Sequence, residues 1–302
     1  MASKIVIGSR GSDLALWQAH FVKRQLQELG CAVEIKVIKT QGDQIQHLSF
    51  EKMEGKGFFT KEIEAALLAN EIDLAVHSFK DLETAPVEGL EIAAVSYRED
   101  PRDAIIAHKS AVDKTQVLSL KKKATVGTSS ARRKSQLKGF RPDIDIKDLR
   151  GNVPTRIQKL REGQYDAIML AQAGLNRLEL DLSEFELIPL EANYFIAAPA
   201  QGVLGLQIRS NDDETFEVVN KLNDPSVAFR IQIERSVLRQ LDGGCQLPLG
   251  VYCETDEKQI HVWASLGSKD GSVKRSFKSF AAGDDPEEIA SQTLQALKKK
   301  EP

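Results

Sequence analysis

Cysteine is scarce in this 302-residue sequence, and this scarcity excludes a disulfide-stapled fold. Only Cys31, Cys245 and Cys253 are present, whereas small secreted scaffolds need several pairs. Long apolar runs are also missing: no stretch approaches about 18 consecutive apolar residues, and the start of the chain shows no signal-peptide pattern. We therefore expect a soluble, cytoplasmic protein, or an organellar one if a transit peptide has been removed, with no membrane partner.

Histidine and excess positive charge are scarce as well. The five histidines show no metal-ligand spacing, so we predict no metal site. The 41 Lys and Arg residues are outnumbered by 44 Asp and Glu residues, for a net charge of -3. This balance argues against a protein that coats nucleic acid. The histidines are His20, His47, His77, His108 and His261.

Arginine nevertheless recurs at helix starts and strand ends. Residues 5–8 read as a strand and 13–29 as an amphipathic helix, with Arg10 and Ser12 in the turn between them. Residues 31–38 complete a β-α-β unit. The N-terminus of such a helix binds anions through free backbone N–H groups and the helix dipole. A cationic cleft for a small polyanion is one interpretation, and scattered surface arginines are the other.

A second region repeats this plan. Residues 124–127 form a predicted strand and 131–140 a helix that opens with Arg132 and Arg133. Further arginines follow predicted strands at 145–149 and 167–170. Proline-containing segments near 98–103 and 197–202 read as two crossings between the regions, which predicts a hinged pair of domains around a cleft.

The predicted fold class is therefore α/β, with two periplasmic-binding-protein-like domains joined by a double crossover and a small C-terminal α+β domain. We place domain 1 at 1–99 and 199–218, domain 2 at 100–198 and domain 3 at 219–302. The third domain begins with a long amphipathic helix running to Gly243 and ends with three strands and a final helix.

Three segments are candidates for function. The polar, glycine-punctuated run 40–57 reads either as a mobile lid or as an ordinary surface loop. The predicted strand 72–77 ends in Lys80 and Asp81, at the carboxyl end of a strand where α/β proteins bind ligands. The turn 241–250 displays Cys245 between Gly244 and Pro248.

Eight motifs, in this order and spacing, make the chain resemble the porphobilinogen deaminase family along its whole length. They are IGSRGSDLALWQ at 7–18, KGFFTKE at 56–62, DLAVHSFKD at 73–81, REDPRDA at 98–104, VGTSSARR at 126–133, LRGNVPTR at 149–156, YDAIMLAQAGLNRL at 165–178 and LDGGCQLPLG at 241–250.

The resemblance implies a dipyrromethane cofactor held on Cys245 by a thioether. It also implies that four porphobilinogen units are joined head to tail with loss of ammonia, and that linear hydroxymethylbilane is then released. Asp81 corresponds to the family's essential aspartate. Each pyrrole brings an acetate and a propionate, which planar guanidinium groups bind well. We expect a monomer in the pathway to porphyrins and heme.

The remaining site residues are also implied by the resemblance. The cofactor-binding set is Cys245, Lys80, Asp81, Ser12, Thr128, Ser129, Ser130, Arg132, Arg133, Arg150 and Gly151. The substrate-binding set is Arg10, Ser12, Lys56, Arg150, Arg156 and Arg177. The sequence departs from the family pattern at Glu83, where proline is usual, and at Ala200 and Gln207, where glycine and glutamate are common.

Two other classes of protein remain open at this point. A hinged solute-binding protein for a polycarboxylate would share the architecture and the anion-binding cleft, but it has no need for the Cys245 turn. A thiol hydrolase would require His77 to reach Cys245. An adduct of two linked pyrroles on Cys245, or its absence, separates these alternatives from the deaminase.

Overall fold

The computed structural model describes residues 4–40, 60–241, 247–268 and 271–298. In chain order the strands are β1 (Lys4–Ser9), β2 (Ala32–Val37), β3 (Leu74–Ser78), β4 (Leu90–Val95), β5 (Asp103–His108), β6 (Thr125–Gly127), β7 (Asp145–Lys147), β8 (Ala167–Ala171), β9 (Phe185–Leu190), β10 (Leu204–Arg209), β11 (Leu249–Thr255), β12 (Gln259–Gly267) and β13 (Val273–Ala281). The α-helices are α1 (Asp13–Glu28), α2 (Lys61–Leu68), α3 (Ala131–Phe140), α4 (Val153–Arg161), α5 (Gln172–Leu178), α6 (Asp213–Val219), α7 (Pro225–Arg239) and α8 (Pro286–Lys298).

These elements divide into two units. Unit 1 holds the described residues of 1–48, 52–99 and 202–229, and unit 2 holds those of 100–201 and 230–302. The chain therefore enters unit 2 at residue 100, returns to unit 1 at residue 202 and leaves it again inside α7.

Unit 1 is built on a five-stranded sheet of order β2-β1-β3-β10-β4. The strands β1, β2 and β3 are parallel, and β10 runs antiparallel to both of its neighbours. Helices cover both faces: Leu74 and Val76 of β3 belong to the core that includes α1, while Ala75 packs with Ile63 and Leu67 of α2. A parallel strand buried on both faces reads as a continuous apolar run, which is why β3 is visible in the sequence.

Unit 2 repeats this plan in its own sheet, of order β7-β6-β8-β5-β9. The strands β6, β7 and β8 are parallel, and β5 is antiparallel to β8 and β9. In each sheet the antiparallel strand follows a crossing of the chain. The predicted pair of α/β domains with a double crossover is confirmed.

The C-terminal part of unit 2 is an antiparallel sheet of order β11-β12-β13, with α8 packed through Ile289, Leu294 and Leu297. The small α+β module is thus confirmed. Its first strand is tied to the rest of unit 2, because the Val251 amide donates to the Ala197 carbonyl at 3.0 Å. The division into three domains at the predicted boundaries remains a prediction.

Several elements differ from expectation, because α5, α6 and β9 were not predicted and α7 is shorter than predicted. The strand β9 was not foreseen, because Pro189 interrupts its pattern; β9 lies at the edge of the sheet, where proline is tolerated. The helix α7 ends at Arg239 and does not run to Gly243.

The second crossing is fixed by a buried carboxylate. Glu234 is fully buried and accepts hydrogen bonds from the Ala200 amide at 2.8 Å and from the Cys253 amide at 2.9 Å. Ala200 adopts φ +61°, in the left-handed region that favours glycine. Alanine therefore stands, in place of the glycine common in the family pattern, at a position where the backbone is strained.

Candidate functional site

The mouth of α1 is the first part of the site in unit 1. Ser12 caps the helix, and its hydroxyl accepts a hydrogen bond from the Ala15 amide at 3.4 Å. Arg10 follows the end of β1 and is half-buried. Together they place a hydroxyl group and a guanidinium beside the N-terminus of α1.

Asp81 is presented by a tight turn after β3. Residues Phe79–Asp81 form one turn of 3-10 helix. Phe79 is buried, its amide donates to the Val203 carbonyl at 2.9 Å, and its ring lies where a side chain on Gly205 would stand. With Phe79 anchored inward, Lys80 is left half-buried and Asp81 is exposed.

These groups line one pocket of unit 1. The pocket is open to solvent, and the space in it that no protein atom occupies is about 510 Å³, part of which is bulk solvent. Its polar lining comes from the ends of β1 and β3, from α1 and from the start of α2. The lining residues are Arg10, Ser12, Leu14, Ala15, Gln18, Thr60, Ile63, Val76, His77, Ser78 and Asp81. The structure thus brings Arg10, Ser12 and Asp81 together.

Gln18 is a pocket residue that was not predicted from the sequence. It is 2% exposed, its amide nitrogen donates to the Ser78 hydroxyl at 2.9 Å, and that hydroxyl is 3.2 Å from the Gln18 amide oxygen. The contact holds α1 against the end of β3. The available signal was a polar residue four positions from both Leu14 and Val22, on the apolar stripe of the helix.

His77 and Gln207 form a second buried polar pair that was not foreseen. The His77 Nε2 atom lies 2.9 Å from Gln207 Oε1. Burial lowers the pKa of His77 to about 4; the Gln207 hydrogen bond opposes this shift, and the positive charge of Arg10 adds to it. The imidazole is therefore neutral at pH 7.

In unit 2 the mouth of α3 repeats the arrangement of α1. Ser130 caps the helix, and its hydroxyl accepts from the Arg133 amide at 3.4 Å. The Ser129 hydroxyl donates to the Leu149 carbonyl and accepts from the Leu149 amide, both at 3.0 Å. Thr128 is buried, and its hydroxyl accepts from the Ser130 amide at 3.3 Å. Ser129 thus fixes the chain just before Arg150.

Arg132 and Arg133 are buried around the carboxylate of Asp103, which is fully buried. Arg132 Nη1 donates to Asp103 Oδ2 at 2.6 Å, and Arg133 Nη2 donates to Asp103 Oδ1 at 2.8 Å. Burial alone would raise the pKa of Asp103, but the two guanidinium charges outweigh it and hold this pKa well below its usual range. Asp103 lies within one of the sequence motifs, but no role was predicted for it.

The two arginines differ in how many of their nitrogens are committed. All three side-chain nitrogens of Arg133 are bonded, to Asp103 and to the Met169 carbonyl. Within the described residues, Arg132 bonds only through Nη1, to Asp103 and to the Ile196 carbonyl. Arg132 therefore has a free edge, Nε and Nη2, that makes no hydrogen bond to the described residues, whereas all the side-chain nitrogens of Arg133 are bonded to the protein.

The loop after β7 carries Arg150 and Gly151. Gly151 adopts φ +112°, and a Cβ built there would lie 2.6 Å from Thr155 Cγ2, so only glycine fits. Arg156 Nε donates to the Gly151 carbonyl at 2.7 Å. Arg177, on α5, is buried. Arg150 lies in the loop and Arg156 lies on α4, and both are half-buried.

Several predicted residues cannot be assigned to either cluster. Lys56, Cys245 and the loop 40–57, apart from Thr40, lie outside the described residues. Cys31 and Cys253 take part in no disulfide, and Cys253 is fully buried in β11. Over the described ranges, no three His, Cys, Asp or Glu side chains gather as metal ligands would. No helix in those ranges has the length and apolarity needed to cross a membrane.

Two family models match the chain. Residues 5–217 match the model described as "Porphobilinogen deaminase, dipyromethane cofactor binding domain", and residues 228–299 match "Porphobilinogen deaminase, C-terminal domain". A porphobilinogen deaminase of Chlorobium phaeovibrioides is 46% identical over 274 residues, covering 90% of this chain and 86% of its own length. That of Sulfurimonas denitrificans is 44% identical over 289 residues, covering 95% and 91%.

Solved structures with a similar arrangement are more distant. A periplasmic binding protein of Salmonella typhimurium with high arginine specificity is 10% identical, with a TM-score of 0.43 over 73% of this chain and 92% of its own. An amino acid transporter substrate-binding protein of Streptococcus pneumoniae bound to L-arginine is 15% identical, with a TM-score of 0.40 over 80% and 90%. At these scores the likeness carries no argument about this chain's ligand.

Proposed function

The chain belongs to the porphobilinogen deaminase family, and from this premise we propose that its two polar clusters carry the hydroxymethylbilane synthase reaction. Four porphobilinogen molecules are joined head to tail with loss of ammonia on a bound dipyrromethane, and linear hydroxymethylbilane is released by hydrolysis. The observation that carries the assignment is the unit 1 pocket, where Asp81, Arg10 and Ser12 come together.

Arg10 and Ser12 are proposed to hold a carboxylate of the incoming pyrrole. A planar guanidinium pairs with both oxygens of a carboxylate, and the free N–H groups of the first turn of α1 add donors beside it. The apolar side chains of Ile63 and Val76 line the same pocket and suit the ring between the polar groups.

Asp81 is proposed to balance the charge that develops on the ring. Loss of ammonia leaves an electron-poor azafulvene system, and a carboxylate beside the pyrrole nitrogen stabilises it. The turn Phe79–Asp81 supports this role, since Phe79 anchors the turn and Asp81 is left accessible in the pocket.

The cluster in unit 2 is proposed to hold the cofactor. Dipyrromethane is a polycarboxylate, and the donor set fits it: the free edge of Arg132, the half-buried Arg150 and Arg156, and the capped N-terminus of α3. When bound, it supplies the pyrrole carbon to which substrate is joined. Arg133 is proposed to act through Asp103, by fixing the position of Arg132.

The remaining assignments rest on the family motifs alone. Cys245 is proposed to tether the cofactor through a thioether, and Lys56, Lys80 and Arg177 to contact carboxylates. Cytoplasmic location and a monomeric state remain predictions of the sequence. Solute-binding proteins share only their architecture with this chain, and no observation favours the thiol hydrolase alternative.

Intact mass spectrometry of the purified protein tests the proposal directly. The wild type should carry an added mass equal to two linked pyrroles, and Cys245→Ser should lose both this adduct and activity. The matched control is Cys31→Ser, since Cys31 is a free, half-buried thiol away from the motif. An unmodified wild-type protein, or an adduct that survives in Cys245→Ser, would contradict the assignment.

A further inference from the structure

His77 is a buried pocket residue that the proposed function does not yet use. It lies on β3 next to Ser78, is 6% exposed, and lines the unit 1 pocket together with Arg10 and Asp81. The only hydrogen bond of its ring within the described residues is the one between Nε2 and Gln207 Oε1. The other ring nitrogen, Nδ1, therefore has no partner among them.

The neighbouring hydrogen bonds determine which ring nitrogen carries the proton. The Gln207 side-chain nitrogen donates to Glu64 Oε1 at 3.3 Å, and a carboxylate oxygen can only accept. This fixes the amide so that its oxygen faces His77. Because that oxygen also only accepts, the His77 proton must lie on Nε2, and Nδ1 carries a lone pair.

The charges around the ring keep it neutral. Burial lowers the pKa of His77 to about 4, and Arg10 acts in the same direction. Among the described residues, the charged groups that line the pocket or bond to Gln207 are Arg10 after β1, Glu64 on α2 and Asp81 after β3, whereas Gln207 of β10 is uncharged. At pH 7 the ring therefore offers an acceptor and no positive charge.

We propose that His77 contacts the substrate in the proposed reaction, its Nδ1 accepting a hydrogen bond from the aminomethyl group that is lost as ammonia. Gln207 is then a positioning residue, which holds the ring in the tautomer that leaves Nδ1 free. Glu64 fixes the orientation of Gln207. This inference rests on the proposed function for the identity of the substrate, but not for the state of the ring.

A weak base suits this contact. The substrate's ammonium group has a pKa near that of lysine, about 10, so a far less basic imidazole accepts its hydrogen bond without removing its proton. When the carbon–nitrogen bond breaks, both electrons go to nitrogen and neutral ammonia leaves with its three hydrogens. The positive charge stays on the ring as an azafulvenium ion, which Asp81 is proposed to balance.

Nuclear magnetic resonance of the free protein tests the tautomer independently of substrate. In protein labelled with 15N-histidine at pH 7, long-range correlations should show the His77 proton on Nε2 and an unprotonated Nδ1. The His77→Gln variant assigns the signal. A ring protonated on Nδ1, or on both nitrogens, would overturn the inference.

Two substitutions at His77 separate the contact with substrate from the contact with Gln207. In His77→Gln the side-chain amide can still donate to Gln207 but places no acceptor at Nδ1, so kcat should fall roughly 10- to 100-fold. In His77→Asn the amide oxygen stands near the position of Nδ1, and part of this loss should be recovered. Equal losses in both variants, or none, would count against the contact.

The control is His108→Gln, because His108 is a histidine of unit 2 whose Nε2 lies 2.8 Å from the Leu160 carbonyl and which lines no part of the pocket. Its turnover should equal that of the wild type. If His77→Gln keeps full turnover while the adduct on Cys245 is present, the inference fails and the proposed function stands.

Gln207→Glu tests the positioning role through a pH profile. A carboxylate beside Nε2 favours the imidazolium, whose Nδ1–H would oppose the substrate's ammonium. Activity should then fall as the pH is lowered from about 8 to 6, a range in which the wild-type ring stays neutral. A profile parallel to that of the wild type would remove Gln207 from this role.

Discussion

At the residue scale, replacing Asp81 with asparagine separates charge from shape. Asp81 is exposed on an anchored turn, so Asp81→Asn should change the free energy of unfolding by less than about 0.5 kcal/mol. Loss of the carboxylate should slow ammonia release by about 100-fold or more. Steady-state kinetics measure turnover, thermal unfolding measures stability, and intact mass checks that the cofactor is still attached; near-normal turnover would remove Asp81 from its role. The control is Glu88→Gln, which makes the same kind of change at another exposed residue later in the same segment of the sequence.

Gly151 offers a second residue-scale test, because two separate causes exclude a side chain there. Gly151→Ala places a methyl group 2.6 Å from Thr155 Cγ2 at φ +112°. Gly163 is the matched control, with φ +71° and no heavy atom within 4 Å of the position that its Cβ would take.

Urea unfolding should show a loss of about 1 kcal/mol for Gly163→Ala, which has backbone strain alone. The loss for Gly151→Ala should be larger, about 2–4 kcal/mol, because the clash is added. The same change should reduce the amount of bound cofactor, since Gly151 accepts the bond that holds Arg156. Equal losses in the two variants would mean that the contact with Thr155 relaxes freely.

At the element scale, the first turn of α3 holds two arginines with different expected roles. Arg133→Lys removes bonds from a fully committed guanidinium, so the free energy of unfolding should fall by about 2–4 kcal/mol. Arg132→Lys should cost less stability but should reduce cofactor content, because it removes the free edge. Denaturation and intact mass distinguish the two. Full cofactor content in Arg132→Lys would refute its proposed contact.

Most elements could be predicted because their patterns are local. The helix α3 lies at the predicted residues 131–140, and α1 begins at the predicted Asp13. The strand β9 was missed because its place at a sheet edge, which permits Pro189, is a tertiary fact.

The site was predictable only in part, for the same reason. Arg10, Ser12 and Asp81 could be placed from strand ends and helix starts. The partnership of His77 with Gln207 joins residues 130 positions apart, and that of Asp103 with Arg132 joins residues 29 apart. No local pattern identifies such pairs, because they form only when strands and helices that are distant in sequence pack together.

At the scale of the whole molecule, His77 makes stability depend on pH. Its pKa is about 4 in the folded protein against an ordinary 6.5. Between these values the unfolded chain binds a proton that the folded protein does not, so the free energy of unfolding falls as the pH is lowered through this window. The full loss is about 3 kcal/mol, at about 1.4 kcal/mol for each pH unit.

Chemical denaturation from pH 7 to pH 4 measures this dependence. The variant His77→Gln should show a smaller fall than the wild type, whereas His108→Gln should keep the wild-type slope. Asp103 works in the same direction at lower pH: its pKa is lowered in the folded protein, so its contribution is lost only as the pH falls below the ordinary range for aspartate. Identical slopes in all three proteins would exclude His77 as the source.

The order of strands in the two sheets also bears on synthesis of the chain. Every strand of the unit 2 sheet lies between Asp103 and Leu190, so that sheet can form from one continuous segment. The unit 1 sheet has β10 between β3 and β4, and β10 ends at Arg209. On the ribosome, domains ordinarily fold from the N-terminus onward. Here the sheet of unit 1 cannot be completed until β10 has been synthesised, and by then every strand of the five-stranded sheet of unit 2 has already been made.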